Sequence, residues 1–173
     1  MDKRFLPRSI GWKFKRYGQV WGGYVYARLI DGGPRYEQDR QELWRGIENV
    51  PAADWLLLSR NPERVGEVVP WTDAWPDNLW LGCWISRQAD AQKYLAQLIA
   101  SPAPVRFIWV DPLYEPLDLS EWIDGLDWVI VRKEQYELGC GTECHWIDDL
   151  KAQCLEACVA FELRSYKNSS CPR

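Results

Sequence analysis

Four cysteines and the only histidine of the chain lie close together in the last quarter of the sequence. They form the pattern Cys140-x3-Cys144-His145-x8-Cys154-x3-Cys158. Thiolates and imidazole are the ligands that zinc takes in proteins, and thiolates also hold iron–sulfur clusters. The spacing differs from the usual Cys-x2-Cys knuckle, and two buried core thiols plus a pair of loop cysteines would explain the same pattern. We therefore expect no cofactor, with a zinc or iron–sulfur site at these cysteines as the alternative.

Acidic residues recur every three or four positions between residues 107 and 131, a stretch without Lys or Arg. The six carboxylates are Asp111, Glu115, Asp118, Glu121, Asp124 and Asp127. On one face they would form a negative ridge that repels nucleic acid and binds a basic protein surface. A solvated loop with a short helix explains the same residues. Asp111 also follows a predicted strand, at the end where barrel active sites lie.

The N-terminal 50 residues interleave cations with aromatic side chains. The cations are Lys13, Lys15, Arg16 and Arg28, and the aromatic residues are Trp12, Phe14, Tyr17, Trp21, Tyr24 and Tyr26. Such an arm could contact single-stranded nucleic acid by stacking and charge. It could equally cover the open edge of a sheet.

Composition sets the class of protein. With 173 residues, 47% hydrophobic and 27% charged, the chain is the size of one globular domain. Residues 1–50 hold ten Lys and Arg against six Asp and Glu, and residues 51–173 hold eleven against nineteen. The acidic body disfavours nucleic-acid binding there.

The twelve tryptophans indicate a Trp-rich core, an aromatic binding surface, or both. The chain carries no membrane-length apolar run and no signal-like N-terminus, so we expect a cytoplasmic protein.

Strand and helix patterns alternate along the chain. Residues 19–30 predict a strand or hairpin, and residues 36–48 a helix, in the N-terminal part. In the body, strands are predicted at residues 55–58, 79–85, 105–110, 128–131 and 159–163. Helices are predicted at residues 62–69, 87–100 and 145–157. Asn61 and Ser86 are the expected helix caps, and Cys154 and Cys158 should share a face of the last helix.

This alternation predicts an α/β fold with parallel βαβ units. About five such units are too few to close an eight-stranded barrel. We therefore expect a partial, half TIM-barrel-like parallel sheet with an aromatic N-terminal strand or hairpin. Residues 1–50 would form an arm and helix packed on the βα-repeat domain of residues 51–173.

Six segments in this order carry a resemblance to a known family. They are WLLLSRNPER (55–64), NLWLGC (78–83), PVRFI (104–108), DPLYEPLDL (111–119), DWVIV (127–131) and QC (153–154). Residues 54–166 thereby resemble the phage and prophage family of radical-SAM-like proteins, distantly related to spore photoproduct lyase. The resemblance implies a barrel-like fold that in complete members holds a [4Fe–4S] cluster on a three-cysteine motif. It also places a cysteine at Cys154 and implies an acidic residue, usually glutamate, at Asp111.

Two departures from that family argue against radical chemistry. No cysteine precedes Cys83, so the three-cysteine motif is absent from this sequence. Where the family has Gly-Gly-Glu-Ser, residues 132–135 read Arg-Lys-Glu-Gln, which would fill the space that glycines leave for a ligand. We expect a non-catalytic phage or mobile-element protein that binds a host protein or ribonucleoprotein complex, as a host-defence inhibitor of the anti-CRISPR or anti-restriction type. The alternative is a radical-SAM-derived or metal-dependent enzyme acting on nucleic acid.

Overall fold

The computed structural model describes residues 14–17, 20–25, 27–71, 74–133 and 144–165 of the chain. The strands in these ranges are β1 (Phe14–Tyr17), β2 (Val20–Val25), β3 (Asp54–Ser59), β4 (Leu79–Ile85), β5 (Arg106–Val110), β6 (Trp128–Lys133) and β7 (Ala160–Ser165). The α-helices are α1 (Ala27–Asp31), α2 (Glu37–Asn49), α3 (Pro62–Val68), α4 (Gln88–Ile99) and α5 (Cys144–Glu156). Short 3-10 helices span Pro34–Tyr36 and Ile123–Gly125.

One sheet contains all of these strands, in the order in which they occur along the chain. Strands β1 and β2 form an antiparallel hairpin, and each pair from β2 to β7 is parallel. A doubly wound sheet reverses its strand order at a switch point, whereas a TIM barrel adds each new strand to the same edge. The sequential order therefore confirms the predicted α/β fold with a partial, barrel-like parallel sheet.

The two faces of the sheet have different coverings. Alternate strand residues such as Leu57, Leu81 and Val129 pack in one large core with helix residues such as Ile47 and Leu95. We call this the helix-side core. The other alternate residues form a separate, smaller cluster that contains strand residues only. Among the described residues, the helices thus cover a single face of the sheet, as in one wall of a barrel.

The connection from β5 to β6 contains a 3-10 helix in place of the α-helix of the other crossovers. Its buried apolar side chains belong to the helix-side core and anchor the connection there; they are Leu113, Leu117, Leu119, Ile123 and Leu126. Asp127 begins the return to the sheet, where its carboxylate accepts a hydrogen bond from the Arg106 backbone N–H at 2.8 Å. The loop thereby takes the place of a helix over this part of the sheet.

The predicted strand or hairpin at residues 19–30 is correct only in part. The hairpin is present, but it ends at Val25, and Ala27–Asp31 forms α1. Leu29 and Ile30 are buried in the helix-side core. Because β2 and β3 are parallel, the chain must return along the sheet between them, and helices are the usual way to do so. The part of the basic arm before residue 14 lies outside the described residues.

A helix crosses a membrane only if it is long and apolar enough. Within the ranges given above, no helix has the length and apolar character that crossing a bilayer requires.

Candidate functional site

The face of the sheet opposite the helices is lined with aromatic side chains. Leu56, Leu58, Phe107 and Ile130 are buried at its centre, and Trp80, Trp84, Trp109 and Trp128 pack around them while remaining partly exposed. We call these eight side chains the aromatic face. Trp84 is the register partner of Trp109, which in turn is the partner of Ile130. The side chains therefore form rows across neighbouring strands.

Gly82 makes room for the centre of this face. It pairs with Phe107 in the register of β4 and β5. A methyl group at Gly82 would overlap the Phe107 ring. The ring in turn lies 6.1 Å from that of Trp128, and Trp128 meets Trp80 edge-on at 6.3 Å. Glycine in the middle of a strand usually marks such a close approach.

Asp111 links two of the tryptophans to the end of the sheet. The indole N–H of Trp84 donates to the Asp111 backbone carbonyl at 2.6 Å. The indole N–H of Trp109 is 3.4 Å from carboxylate oxygen Oδ2 of the same residue. These contacts set the orientation of both rings at the C-terminal ends of β4 and β5. Asp111 thus lies at the strand end predicted for it, but it is buried, with 4% of its surface exposed.

Arg132 compensates the buried charge of Asp111. Its Nη1 lies 2.8 Å from Asp111 Oδ2, and its side chain is 28% exposed while that of Asp111 is 5% exposed. The arginine side chain therefore lies at the C-terminal end of the sheet against Asp111, and the predicted filling of a ligand space by residues 132–135 stays a prediction. Residues 134 and 135 of the same predicted segment lie outside the described residues.

Two further arginines stack on the aromatic face. Arg164 pairs with Glu162 through two hydrogen bonds of 2.7 and 3.0 Å, and its guanidinium lies 5.2 Å from the ring centre of Trp109. Arg60 lies 5.1 Å from the ring centre of Trp84. Cation–π contacts of this kind favour planar guanidinium groups over lysine. We call Arg60, Asp111, Arg132, Glu162 and Arg164 the charged rim.

The loop after β3 positions Arg60. The Asp31 carboxylate accepts hydrogen bonds from the Ser59 hydroxyl at 2.9 Å and from the Arg60 backbone N–H at 3.1 Å. Asn61 precedes α3 as expected, but its side chain makes no capping hydrogen bond. Instead, the Asn61 backbone N–H donates to the Ser59 hydroxyl at 2.9 Å. The predicted cap at Asn61 is therefore wrong in its chemistry, because Asp31 and Ser59 already organise this turn.

At the start of α4, the carboxylate of Asp90 accepts from the backbone N–H groups of Ser86 and Arg87 at 2.9 and 3.0 Å. The Glu115 carboxylate accepts from the Gln88 N–H at 2.7 Å. Ser86 was predicted to cap this helix, but Arg87 occupies the cap position. Two carboxylates supply the acceptors that a serine hydroxyl was expected to supply.

The six acidic residues do not form a single surface. Asp111 belongs to the charged rim, and Glu115 is partly buried against α4. Asp118, Glu121, Asp124 and Asp127 are exposed. The leucines between them bury on the helix side of the sheet, which places this loop away from the aromatic face and separates it from Asp111. A backbone hydrogen bond from Ser120 lowers the pKa of Asp118 and keeps it charged.

Two of the cysteines predicted as metal ligands, Cys154 and Cys158, lie in different environments. Cys154 is buried on α5, whereas Cys158 is exposed beyond the end of the helix, with a φ angle of 58°. The expectation that both share a helix face is wrong, because α5 ends at Glu156. Cys140 and the side chain of Cys144 lie outside the described part. Burial raises the pKa of the Cys154 thiol to about 11, so this side chain is a neutral thiol near pH 7.

Within the described ranges, no three His, Cys, Asp or Glu side chains are grouped so as to hold a metal ion. His145 is exposed, and its ring lies 5.7 Å from that of Trp146, meeting it edge-on. The metal site proposed at Cys140, Cys144, Cys154 and Cys158 therefore stays a prediction that depends on residues beyond those ranges.

The sequence indicates an aromatic binding surface as one alternative, but it does not assign these tryptophans or most of the charged rim to a site. The apolar runs predict the strands, but they do not distinguish one face of the sheet from the other. A period-2 signal was available, because Trp80 and Trp84 alternate with leucine, cysteine and isoleucine in β4, and Trp109 and Trp128 occupy equivalent positions in β5 and β6. Glu162 and Arg164 follow the same alternation in β7.

Comparison with protein families identifies a match over most of the chain. A family model described as a protein of unknown function, DUF5131, matches residues 36–170. No curated protein and no solved structure matches the chain.

Proposed function

The chain belongs to the DUF5131 family of proteins of unknown function, and we propose that it is a non-catalytic protein that binds a host protein through the aromatic face and charged rim. In this proposal it acts for a phage or mobile element against a host-defence complex. The observation that carries the proposal is the face itself, which no described helix covers and which combines four partly exposed tryptophans with three arginines.

Trp and Arg are the residues most enriched at the energetic centres of protein interfaces. Such centres have a desolvated aromatic middle and a polar rim. The aromatic face has this arrangement, with Phe107 and Ile130 fully buried at the centre and ion-paired side chains at the border. It offers a partner large apolar area together with orienting hydrogen-bond donors.

A protein is a better fit than a nucleic acid as the partner. Arg132 and Arg164 are paired with Asp111 and Glu162, so their charges are already compensated. Phosphate binding depends on uncompensated cations that release counterions from the nucleic acid. The body of residues 51–173 also has eight more acidic than basic residues, nineteen against eleven.

Arg132 also supports a non-catalytic role. The resemblance to the phage radical-SAM-like family implies glycines at this position, where the backbone would approach a ligand. Here the Arg132 side chain occupies the strand end and pairs with Asp111. A bulky ion pair in that place is expected to exclude a ligand that needs close backbone contact.

The test is capture from host lysate, with identification of the partner by mass spectrometry and measurement of its affinity by biolayer interferometry. Trp84→Ala should weaken binding at least about ten-fold, as loss of a central interface tryptophan does. Trp71→Ala is the matched control, because Trp71 is also partly buried and its indole N–H bonds a single acceptor, Glu48, at 3.0 Å. Equal affinity of the Trp84 variant and wild type would refute the proposal.

The acidic loop provides a second arm of the same experiment. The sequence-based hypothesis predicts that reversing Asp118, Glu121 and Asp124 to lysine abolishes partner binding. The proposal that the aromatic face binds the partner predicts unchanged affinity for this triple variant. Because the loop is anchored on the helix side of the sheet, the two surfaces can be tested independently.

An enzyme remains the second candidate, on one specific observation. Arg60, Asp111 and Arg132 lie at the C-terminal ends of parallel strands, the position of active sites in barrel enzymes. Anaerobic purification followed by iron and zinc analysis separates the two candidates. A stoichiometric iron–sulfur cluster would overturn the non-catalytic proposal and support the radical-SAM-derived alternative.

A further inference from the structure

Strand β7 is the last strand of the described sheet, and one of its edges has no described neighbour. Its residues pair with β6 from Ala160 to Ser165. Leu163 in the middle of the strand is 48% exposed, which makes it one of the few large apolar side chains exposed in the described chain. Exposed, unprotected strand edges are templates for pairing with another strand.

The direction of the backbone groups follows from one hydrogen bond. The Ala160 N–H donates to the Asp127 carbonyl, just before β6, at 3.2 Å. In a parallel pair, only alternate residues direct their N–H and C=O toward a given neighbour. Ala160, Glu162 and Arg164 therefore bond toward β6, while Phe161, Leu163 and Ser165 direct these groups to the open edge.

Two opposite charges flank Leu163 in β7. Glu162 precedes it and Arg164 follows it, and both side chains lie on the face opposite the helices. Leu163 lies on the helix side, like Phe161, which packs on the helix-side core. A strand with this pattern is complementary to an antiparallel copy of itself.

We propose that β7 pairs with β7 of a second copy of this chain, antiparallel and around a two-fold axis at Leu163. Leu163 then faces its own counterpart as a hydrogen-bonded pair, and Phe161 pairs with Ser165 of the other copy. This register uses the residues whose backbone groups point outward. A two-fold axis at Glu162 or at Arg164 would use the same outward groups, but it would place two like charges directly opposite each other, which destabilises strand pairing.

The same register places Glu162 opposite Arg164 of the other copy, twice in the dimer. These are non-hydrogen-bonded positions, where side chains on neighbouring strands lie closest. Opposite charges at such positions stabilise strand pairing, and like charges destabilise it. The existing pair between Glu162 and Arg164 thereby extends into a network of four charges. On the helix side, the two exposed Leu163 side chains cover each other.

The experiment is sedimentation velocity on the purified full-length chain at concentrations up to about 0.1 mM, a range that detects weak self-association. Wild type should sediment as a dimer. Glu162→Arg places like charges opposite each other and should sediment as a monomer, and so should Arg164→Glu. An equimolar mixture of the two variants restores opposite charges only between different chains and should sediment as a heterodimer.

A monomeric wild type over this range would overturn the proposal, whatever the variants do. So would dimerisation of either single variant at the wild-type affinity, or failure of the mixture to associate when both variants keep the wild-type circular dichroism spectrum. Tyr114→Glu is the matched control, because Tyr114 is also an exposed large side chain, at 53%, but lies in the loop between β5 and β6. This variant should remain a dimer. Leu163→Asp should also sediment as a monomer, and it replaces either charge variant that fails to fold.

Discussion

At the scale of single residues, the ion pair of Arg132 and Asp111 determines the side-chain arrangement at the C-terminal end of the sheet. Asp111 is a buried carboxylate, and burial of a charge is costly unless a partner compensates it. Arg132 Nη1 lies 2.8 Å away and supplies that partner. The pair also holds the Trp109 indole in place through Asp111 Oδ2. The end of the sheet and the orientation of a tryptophan on the aromatic face therefore depend on the same ion pair.

Removal of one side chain of the Arg132–Asp111 pair should lower the free energy of unfolding more than removal of both side chains. We expect Arg132→Met to lower the free energy of unfolding by about 1–3 kcal/mol, because it leaves a buried acceptor without its donor. Asp111→Asn should lower the free energy of unfolding less in the Arg132→Met background than in wild type. Urea unfolding followed by tryptophan fluorescence measures these values. Arg45→Met, at an exposed helix position, should change stability by less than about 0.5 kcal/mol. Additive losses would show that the two side chains act independently.

At the scale of elements, each central strand presents one kind of side chain to each face. Strand β4 directs Leu79, Leu81, Cys83 and Ile85 to the helix-side core and its tryptophans to the aromatic face. Gly82 lies between the two tryptophans on the latter face. The strands were predicted at nearly their observed bounds because short apolar runs between turn signals identify buried strands. Their sidedness was missed because tryptophan and leucine are both apolar.

Substitution of Gly82 tests this close approach. We expect Gly82→Ala to lower the free energy of unfolding by about 1–3 kcal/mol, the usual cost of overpacking, because its methyl group would overlap the Phe107 ring. The loss should be smaller in a Phe107→Ala background, where space is available. Gly66→Ala is the control, since no atom lies within 4 Å of a methyl group there and Gly66 lies within α3. It should be neutral or stabilising by up to about 1 kcal/mol. Thermal unfolding of the four variants measures the difference, and equal losses at both glycines would contradict the packing argument.

At the scale of the whole molecule, the sheet resembles a single wall of a barrel. Each crossover adds a strand to the same edge, so helices collect on one face and the other face receives none from the described chain. In a closed barrel, the equivalent inner face is filled by its own side chains. In this protein, tryptophans, ion-paired arginines and a large phenylalanine ring cover it. The aromatic face is therefore a consequence of the open architecture.

Stability should vary across this wall in a defined way. Strands β4 and β5 have a parallel neighbour on each side and apolar packing on both faces, whereas β7 has one described neighbour. We expect amides in β4 and β5 to exchange with deuterium at least about ten-fold more slowly than those in β7, because edge strands open with less free energy. Mass spectrometry of peptic fragments at low micromolar concentration measures these rates. Slower exchange in β7 than in β5 would contradict the assignment of β7 as an edge strand at that concentration.

The sequence alone determined the alternation of strands and helices, the fold class and the strand end that carries Asp111, because these depend on local periodicity and turn chemistry. Local patterns also misled in places. The local pattern of residues 27–30 predicts part of a strand or hairpin, whereas the return between two parallel strands requires a helix there. The cysteine pair was placed on one helix face, although the helix ends before Cys158.

Only the tertiary structure decided which residues form the candidate site. Trp84, Trp109, Arg132 and Arg164 come from four different strands, and their proximity depends on register across the sheet. Likewise, the acidic spacing of residues 111–127 was visible in the sequence, but the buried leucines separate Asp111 from the exposed carboxylates. Spacing along a chain specifies which side chains can share a local face, whereas long-range packing specifies which of those faces meet.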